Sequence, residues 1–189
     1  AHDLALAEEA GVDVVFAPPV EELYPSGFQT WVEVGEASRG GEGDARPGHF
    51  RGVATVCLKL FTIVRPRRAY FGQKDAQQAI VVRRLVRDLN LGVQIRVLPT
   101  VRDPDGLALS SRNVRLSPAE RERALGLPRA LAHAAAEADP VSAARAELNG
   151  LDPDYVELLD LDGAAILAAA VRVGATRLID NVLVKGDLS

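Results

Sequence analysis

The stretch RAYFGQKDAQQAIVVRRLVRDLNLGVQIRVLP, residues 68–99, decides the fold. It opens on a short aromatic run closed by a glycine, RAYFG, which reads as a strand. DAQQAIVVRRLVRDLNLG follows, with Val82, Leu85, Val86 and Leu89 at i, i+3, i+4 and i+7, the helical period. Asp75 stands where a helix cap is wanted and Gly92 where a stop is wanted. VQIRVLP then reads as a second strand. Two strands joined through a helix pair in parallel, because a crossover of that length is what parallel pairing needs. A glycine, a lysine and an aspartate (Gly72, Lys74, Asp75) mark the handover from the first strand to the helix.

The same alternation extends upstream. Residues 49–66, HFRGVATVCLKLFTIVRP, have helical length and end where Pro66 would stop a helix. Residues 3–10 read as a helix capped by Asp3 and stopped by Gly11. VDVVFAPP, 12–19, reads as a buried strand and QTWVEVG, 29–35, as an edge strand. GEASRGGEGDARPGHF, 35–50, is rich in glycine and charge and reads as a mobile loop. Helices between apolar strands imply a parallel sheet covered on both faces, hence a doubly wound, Rossmann-like α/β fold. The alternation begins with a helix, so the unit's first strand is not visible in it.

Beyond residue 113 the pattern changes. SPAERERALGLPRALAHAAAEA opens on a capping box, with Ser117 as cap, Pro118 at the first helical position and Glu120 three after the cap. PVSAARAELNG reads as another helix. DYVELLDLDG and TRLIDNVLVKG read as strands able to pair with one another, antiparallel. The expected division is a doubly wound α/β domain over 1–102 and a small α+β domain over 103–189.

Composition sets outer limits. The 189 residues are about half apolar and carry a net charge of −4, with one cysteine and no methionine. That charge disfavours broad nucleic-acid or membrane-surface binding. No apolar run reaches the ~20 residues a bilayer crossing needs. Cys57 lies in an apolar run and reads as a small core residue, and a reducing, cytoplasmic setting fits.

Two segments carry chemistry. In open α/β sheets, ligands bind beyond the carboxyl ends of the strands. The Gly72–Asp75 turn falls there, at a helix N-terminus whose free N–H groups and partial positive charge favour phosphate. Lys74 adds a full charge, and Asp75 caps the helix or accepts from a ribose hydroxyl. The alternative is a plain turn with Lys74 and Asp75 solvated or paired. The second segment is TVRDPDGLALSSRN, 100–113. Ser110 and Ser111 can donate to phosphate oxygens, and Arg112 can hold them bidentately. Its alternative is a polar linker. Each segment follows a strand of one parallel sheet, so both can reach one rim and converge on a polyphosphate. Neither a Gly-x-Gly-x-x-Gly nor a P-loop lysine motif is present.

FGQKDAQQ, LPTVRDPDGLALSSRN, RPGHFRGV and DYVELLDLD…ATRLIDN together resemble the pantoate–β-alanine ligases, members of the adenylate-forming nucleotidyltransferase superfamily. The resemblance runs over nearly the whole chain. It implies ATP- and Mg²⁺-dependent joining of pantoate to β-alanine through pantoyl adenylate, with release of pyrophosphate and then AMP. It implies ATP binding by Gly72, Gln73, Lys74 and Asp75, and pantoate binding by Gln78. It places Val101 at the adenine and makes Leu109, Ser110, Ser111 and Arg112 a phosphate-binding loop. His49 and Arg46 match positions near the nucleotide, and the family is usually homodimeric. Charge stabilisation by Lys74, Ser110, Ser111 and Arg112 suits nucleotidyl transfer, where negative charge gathers around the α-phosphorus. Three departures stand out. Gln73 replaces the usual glutamate, Ala76 replaces the usual tyrosine, and the family's N-terminal His-x-Gly-His-type segment is missing. The chain is therefore expected to be an N-terminally truncated or incompletely represented member. The alternatives are a nucleotidyltransferase acting on another acceptor and a non-catalytic, dimerising remnant.

Overall fold

The structure is a computed structural model that describes residues 2–161 and 163–188. Asp162, at the end of the expected DYVELLDLDG strand, and Ser189 lie outside the described residues. The chain divides into two compact units, 1–30 and 31–189.

The first unit holds helix α1 (His2–Glu9) and the short helix α2 (Val20–Leu23). Gly11 ends α1's turn in the left-handed region, at φ 75°. The expected strand at 12–19 is not formed. Its backbone is irregular and Val14 is 81% exposed. An apolar, β-branched run becomes a strand only through a ladder with a neighbour, and this one makes none among the described residues.

The second unit is built around two sheets. Helix α3 (Gly41–Ala45) and helix α4 (His49–Val64) lead into strand β1 (Arg68–Gly72). A 3₁₀ turn at Gln73–Asp75 passes directly into helix α5 (Ala76–Asp88), and strand β2 (Gln94–Leu98) follows. β1 and β2 are parallel, registered from Arg68 opposite Gln94 to Gly72 opposite Leu98. Asp75 precedes α5 without capping it through its side chain. The helix ends at Asp88, and Asn90, at φ 53°, makes the left-handed turn expected of Gly92. Asn is one of the few side chains that tolerate that region.

The C-terminal part packs helices α6 (Pro118–Ala124), α7 (Gly126–Ala134) and α8 (Pro140–Glu147) against a three-stranded antiparallel sheet. The capping box forms as read: Ser117 accepts from the Glu120 N–H, and the Glu120 carboxylate accepts from the Ser117 N–H at 2.9 Å. The sheet is β3 (Asp152–Leu161), β4 (Ala164–Val173) and β5 (Thr176–Lys185), in the order β3-β4-β5. The expected direct pairing of the first and last of these is therefore wrong. β4, AAILAAAVRV, lies between them and pairs with both. Its alanines carry no strand signature of their own; they suit a strand covered on both faces.

That double cover explains the architecture. Leu167, Ala169, Val171 and Val173 of β4 join Leu178 of β5 in a core with Leu127, Leu131 and Leu148 of the helical layer. The alternate residues Ala164, Ile166 and Ala168 join a second core with Phe50 of α4 and Ala76, Ile80 and Val81 of α5. Period-two alternation sends neighbouring residues to opposite faces. The antiparallel sheet is thus a middle layer that carries α5, and the turn before it, on one face.

Two further expectations change. QTWVEVG, expected as an edge strand, forms no strand. The segment 35–50 is not a mobile loop. It contains a 3₁₀ turn at Glu36–Ser38 and α3, with Ala37, Gly41 and Glu42 buried.

Candidate active site

The turn at Gln73–Asp75 is fixed from two directions. α5 leaves it toward the second core, and Asn181 of β5 meets it from the sheet. The Asn181 Nδ2 donates to the carbonyl oxygens of Gln73 and Lys74, each at 2.9 Å. The second segment is fixed by charge. Arg102 forms a two-pronged ion pair with Asp180, at 2.6 and 3.0 Å, and the Asp180 side chain is 1% exposed. Arg121 of α6 holds Asp103 at 2.8 Å and Asp105 at 2.7 Å. Within the segment, Leu109 N–H donates to the Val101 carbonyl at 2.9 Å and Asp103 N–H to the Leu107 carbonyl at 2.8 Å. Residues 101–109 therefore fold back as a small hairpin around the RDPDG turn.

Two adjoining clefts result, and Lys74 lines both. One is bordered by Lys74, Ser110, Arg112, Arg177 and Asp180. The other is bordered by His49, Lys74, Asp75, Gln78, Tyr155 and Asn181. Lysine from one segment and arginine plus a serine from the other do face a common space, as convergence on one rim requires. Gly72, Gln73, Val101, Leu109, Ser111 and Arg46 do not border either cleft. Val101 and Leu109 are both exposed and face each other across the hairpin; Ser111 is exposed. The Arg112 guanidinium donates to the Arg177 carbonyl at 3.3 Å. Another cleft, between residues 32–37 and α5, is bordered by Glu33, Glu36, Asp88 and Asp160 with Arg84. Four carboxylates around one arginine suit a polyphosphate poorly.

His49 sits at the start of α4, and its Nε2 meets the Arg46 guanidinium at 3.1 Å. An arginine can only donate, so that nitrogen accepts and the proton rides on Nδ1. Burial, and then the Arg46 charge, push the His49 pKa below its ordinary value. The neutral imidazole is the state that this geometry selects.

A buried charge network backs the site and escaped sequence reasoning. Glu42 is 8% exposed and accepts from Arg177 at 2.6 and 3.2 Å. Arg177 also donates to Asp154, which Arg172 holds at 3.0 Å from its other oxygen. Burial alone would raise the Glu42 pKa. The Arg177 hydrogen bond and charge, aided by Tyr155 and Arg46, outweigh it and hold Glu42 below the usual range. Asp154 is held low for the same reason: burial is outweighed by Arg177 and Arg172. Burial, with Glu42 beside it, pushes Tyr155 far up, so its hydroxyl stays protonated.

Gln77 is the other missed residue. Its Nε2 donates to the carbonyls of Ala37, Arg39 and Gly40 at 3.2, 2.9 and 3.1 Å, and its Oε1 accepts from the Glu42 N–H at 3.0 Å. Gln77 thus holds the 37–42 segment and, with Gln78 beside it, also borders the cleft. No local pattern marked Gln77, because its partners lie 35 to 40 residues away in the chain.

The comparisons with known proteins agree with one another. The family model described as pantoate-beta-alanine ligase matches residues 1–183. Among curated relatives, pantothenate synthetase of Roseiflexus castenholzii is 53% identical, over 97% of this chain and 73% of that protein. That of Chloroflexus aurantiacus is 54% identical, over 98% and 74%. Among solved structures, pantothenate synthetase of Thermus thermophilus superimposes with a TM-score of 0.89 at 46% identity, covering 98% of this chain and 74% of that one. The Francisella tularensis pantoate-beta-alanine ligase, complexed with beta-gamma ATP and beta-alanine, gives 0.82 at 34% identity, covering 100% and 71%. The parallel β1–α5–β2 unit and its antiparallel companion sheet are thus the nucleotidyltransferase-type fold of these enzymes, and the chain belongs to the pantoate-beta-alanine ligase family.

Proposed function

We propose that the protein condenses pantoate with β-alanine at the expense of ATP, through a pantoyl adenylate, releasing pyrophosphate and AMP. The observation that carries this reading is the shared cleft of Lys74, Ser110 and Arg112 in a chain of this family. In the first step a pantoate carboxylate oxygen attacks the α-phosphorus and the bond to the β-phosphate bridging oxygen breaks. Charge grows on the departing pyrophosphate, where Lys74 and Arg112 place two cations and Ser110 a hydroxyl donor. In the second step the β-alanine amine attacks the acyl carbon, loses a proton and expels AMP. Neither step requires a covalent enzyme intermediate, so positioning and charge are the protein's contribution.

The residue roles are those the family resemblance implies, and the clefts support those of His49, Lys74, Asp75, Gln78, Ser110 and Arg112. Gln78, beside Lys74 and Asp75, is the pantoate contact. Gly72, Gln73, Lys74 and Asp75 form the nucleotide turn, with Val101 toward the adenine. Leu109, Ser110, Ser111 and Arg112 form the phosphate loop, and His49, with Arg46 behind it, lies toward the nucleotide. Among the described residues no group of three or more His, Cys, Asp or Glu could hold a metal ion. Mg²⁺ would therefore enter on the phosphate oxygens rather than in a protein cage. The nucleotide-binding part is read as 1–102 and the C-terminal part as 103–189. Homodimeric assembly and a cytoplasmic setting belong to the same reading, on the strength of the family. No helix among the described residues is long and apolar enough to cross a membrane.

The test is AMP release dependent on both pantoate and β-alanine. It is run on this chain and on a chain of the relatives' full length that contains it. Release that needs both acceptors supports the reading. Release with neither form ends it, and ATP–pyrophosphate exchange driven by another carboxylate but not by pantoate redirects it to a different acceptor.

A further inference from the structure

Asn181 and Asp180 are neighbours on β5, so their side chains leave opposite faces of the antiparallel sheet. Asn181 leaves on the face that carries α5, Asp180 on the face that carries α7. Both are buried, at 5% and 2% exposure. Asn181 holds the backbone of the Lys74 turn, and Asp180 holds Arg102, the residue after Val101. The Asp180 carboxylate also accepts from the Asn181 N–H at 2.9 Å, which joins the two attachments. One dipeptide of one strand therefore anchors both segments that border the Lys74–Arg112 cleft.

We propose that Asn181 is a positioning residue for adenylate formation, setting the Lys74 turn against the 101–112 segment that Asp180 holds. This rests on the ligase reading given above. The side-chain chemistry is specific. Two carbonyl oxygens 2.9 Å from one terminal atom can be satisfied only by the amide NH₂, so the orientation of the amide is fixed by what it meets. Aspartate has the same shape but no donor at neutral pH, and it would set a carboxylate against two carbonyl oxygens. Alanine would leave both carbonyls without that donor. In either case the turn keeps its fold through α5 and β1 but loses the contact that sets its distance from the other segment. Misplacement of a reacting group by about 1 Å costs on the order of 100-fold in rate.

The variants N181D and N181A are compared with the unmodified protein by ATP–pyrophosphate exchange with pantoate, by the KM for β-alanine, and by amide hydrogen exchange. Both variants should slow the first reaction roughly 10- to 100-fold, with the β-alanine KM unchanged. Hydrogen exchange should quicken in a peptide covering 70–78 by roughly tenfold, as local attachment is lost, and stay unchanged in α7. The isosteric N181D doing as much damage as N181A is the decisive sign that donation, not volume, matters. Unchanged exchange at 70–78, or N181D behaving as the unmodified protein, overturns the proposal. So does a uniform quickening across β4, β5 and α7, since the amide would then hold only the sheet. If the unmodified protein shows no pantoate-driven reaction, the ligase reading fails by itself. Unchanged hydrogen exchange at 70–78 would still overturn Asn181's hold on the turn.

Discussion

Lys74 borders both clefts and is the cation they share. It lines the cleft shared with Arg112, so Lys74→Ala removes a charge from the place where, on the ligase reading, phosphate charge develops. The expected loss is about 100-fold or more in the rate of adenylate formation, the scale for one transition-state donor. Stopped-flow or quench measurement of AMP-ester formation checks it; an effect confined to the KM for β-alanine would assign Lys74 elsewhere. Gln78→Ala should raise the KM for pantoate and leave ATP binding largely intact, as read by calorimetric titration with each ligand. Equal losses would place Gln78 in the nucleotide subsite. At this scale the sequence supplied the cations but not their supports. Lys74, Ser110 and Arg112 stand in segments with strand-to-helix and turn signals, which local chemistry makes readable. Arg177, Glu42 and Asn181 act through partners 135 and 108 residues away in the chain, and no local pattern marks such pairs.

Among the elements, α3 shows how a segment can look mobile and be fixed. Residues 35–50 have the glycine and charge content of a solvated loop. Yet Gly43 packs so closely that a Cβ there would lie 1.8 Å from the Ser38 carbonyl oxygen. That oxygen belongs to the backbone and cannot swing aside. Gly43→Ala should therefore destabilise the protein by about 3 kcal/mol, the upper range for overpacking, and loosen Glu42 and His49 with it. Thermal unfolding measures the first effect and limited proteolysis at 36–48 the second. A Tm within a degree of the unmodified protein would mean that the segment bends without cost. The elements that were legible are those whose burial is one-sided or strongly periodic: α4, α5, β1, β2 and the capped α6. Those that were not obey other rules. β4 is covered on both faces, so its alanines show no alternation; 12–19 and QTWVEVG have strand composition but no ladder. Gly43 serves close packing, while Gly40 and Gly41 take the positive φ values, 69° and 49°, that turn the chain into α3.

Across the whole molecule, the Glu42–Arg177–Asp154 network ties α3 to β3 and β5, and it makes the fold sensitive to acid. Glu42 and Asp154 are held below their ordinary values of 4.5 and 3.8. A depressed carboxylate contributes stability that is present in full above its unfolded value and is lost as pH falls through the folded one. The loss should therefore begin below about 4.5 for Glu42 and about 3.8 for Asp154, the unfolded values. His49 acts in the same direction from a higher start. Its folded value lies below the ordinary 6.5, so the unfolded chain takes up the proton first and stability declines as pH falls from there. His133 opposes it. Its pairing with Glu147 raises the folded value, which adds stability below 6.5 that disappears as pH rises; being fully exposed, it counts for little against the buried groups. Tm should thus vary little between pH 8 and 6.5, decline modestly from there as His49 contributes, and fall steeply below 4.5. Glu42→Gln separates the network from the rest. At pH 7 it breaks a buried ion pair and should cost about 3 kcal/mol. As pH falls below the unfolded value of 4.5, the unfolded chain takes up the proton and the stability that ionised Glu42 contributes is progressively lost, so the difference between the two proteins should narrow. Thermal unfolding of both across pH 3–8 decides it: a Tm difference that stays constant over the range would mean that Arg177 does not hold Glu42 ionised, and that the link between α3 and the sheet is packing alone.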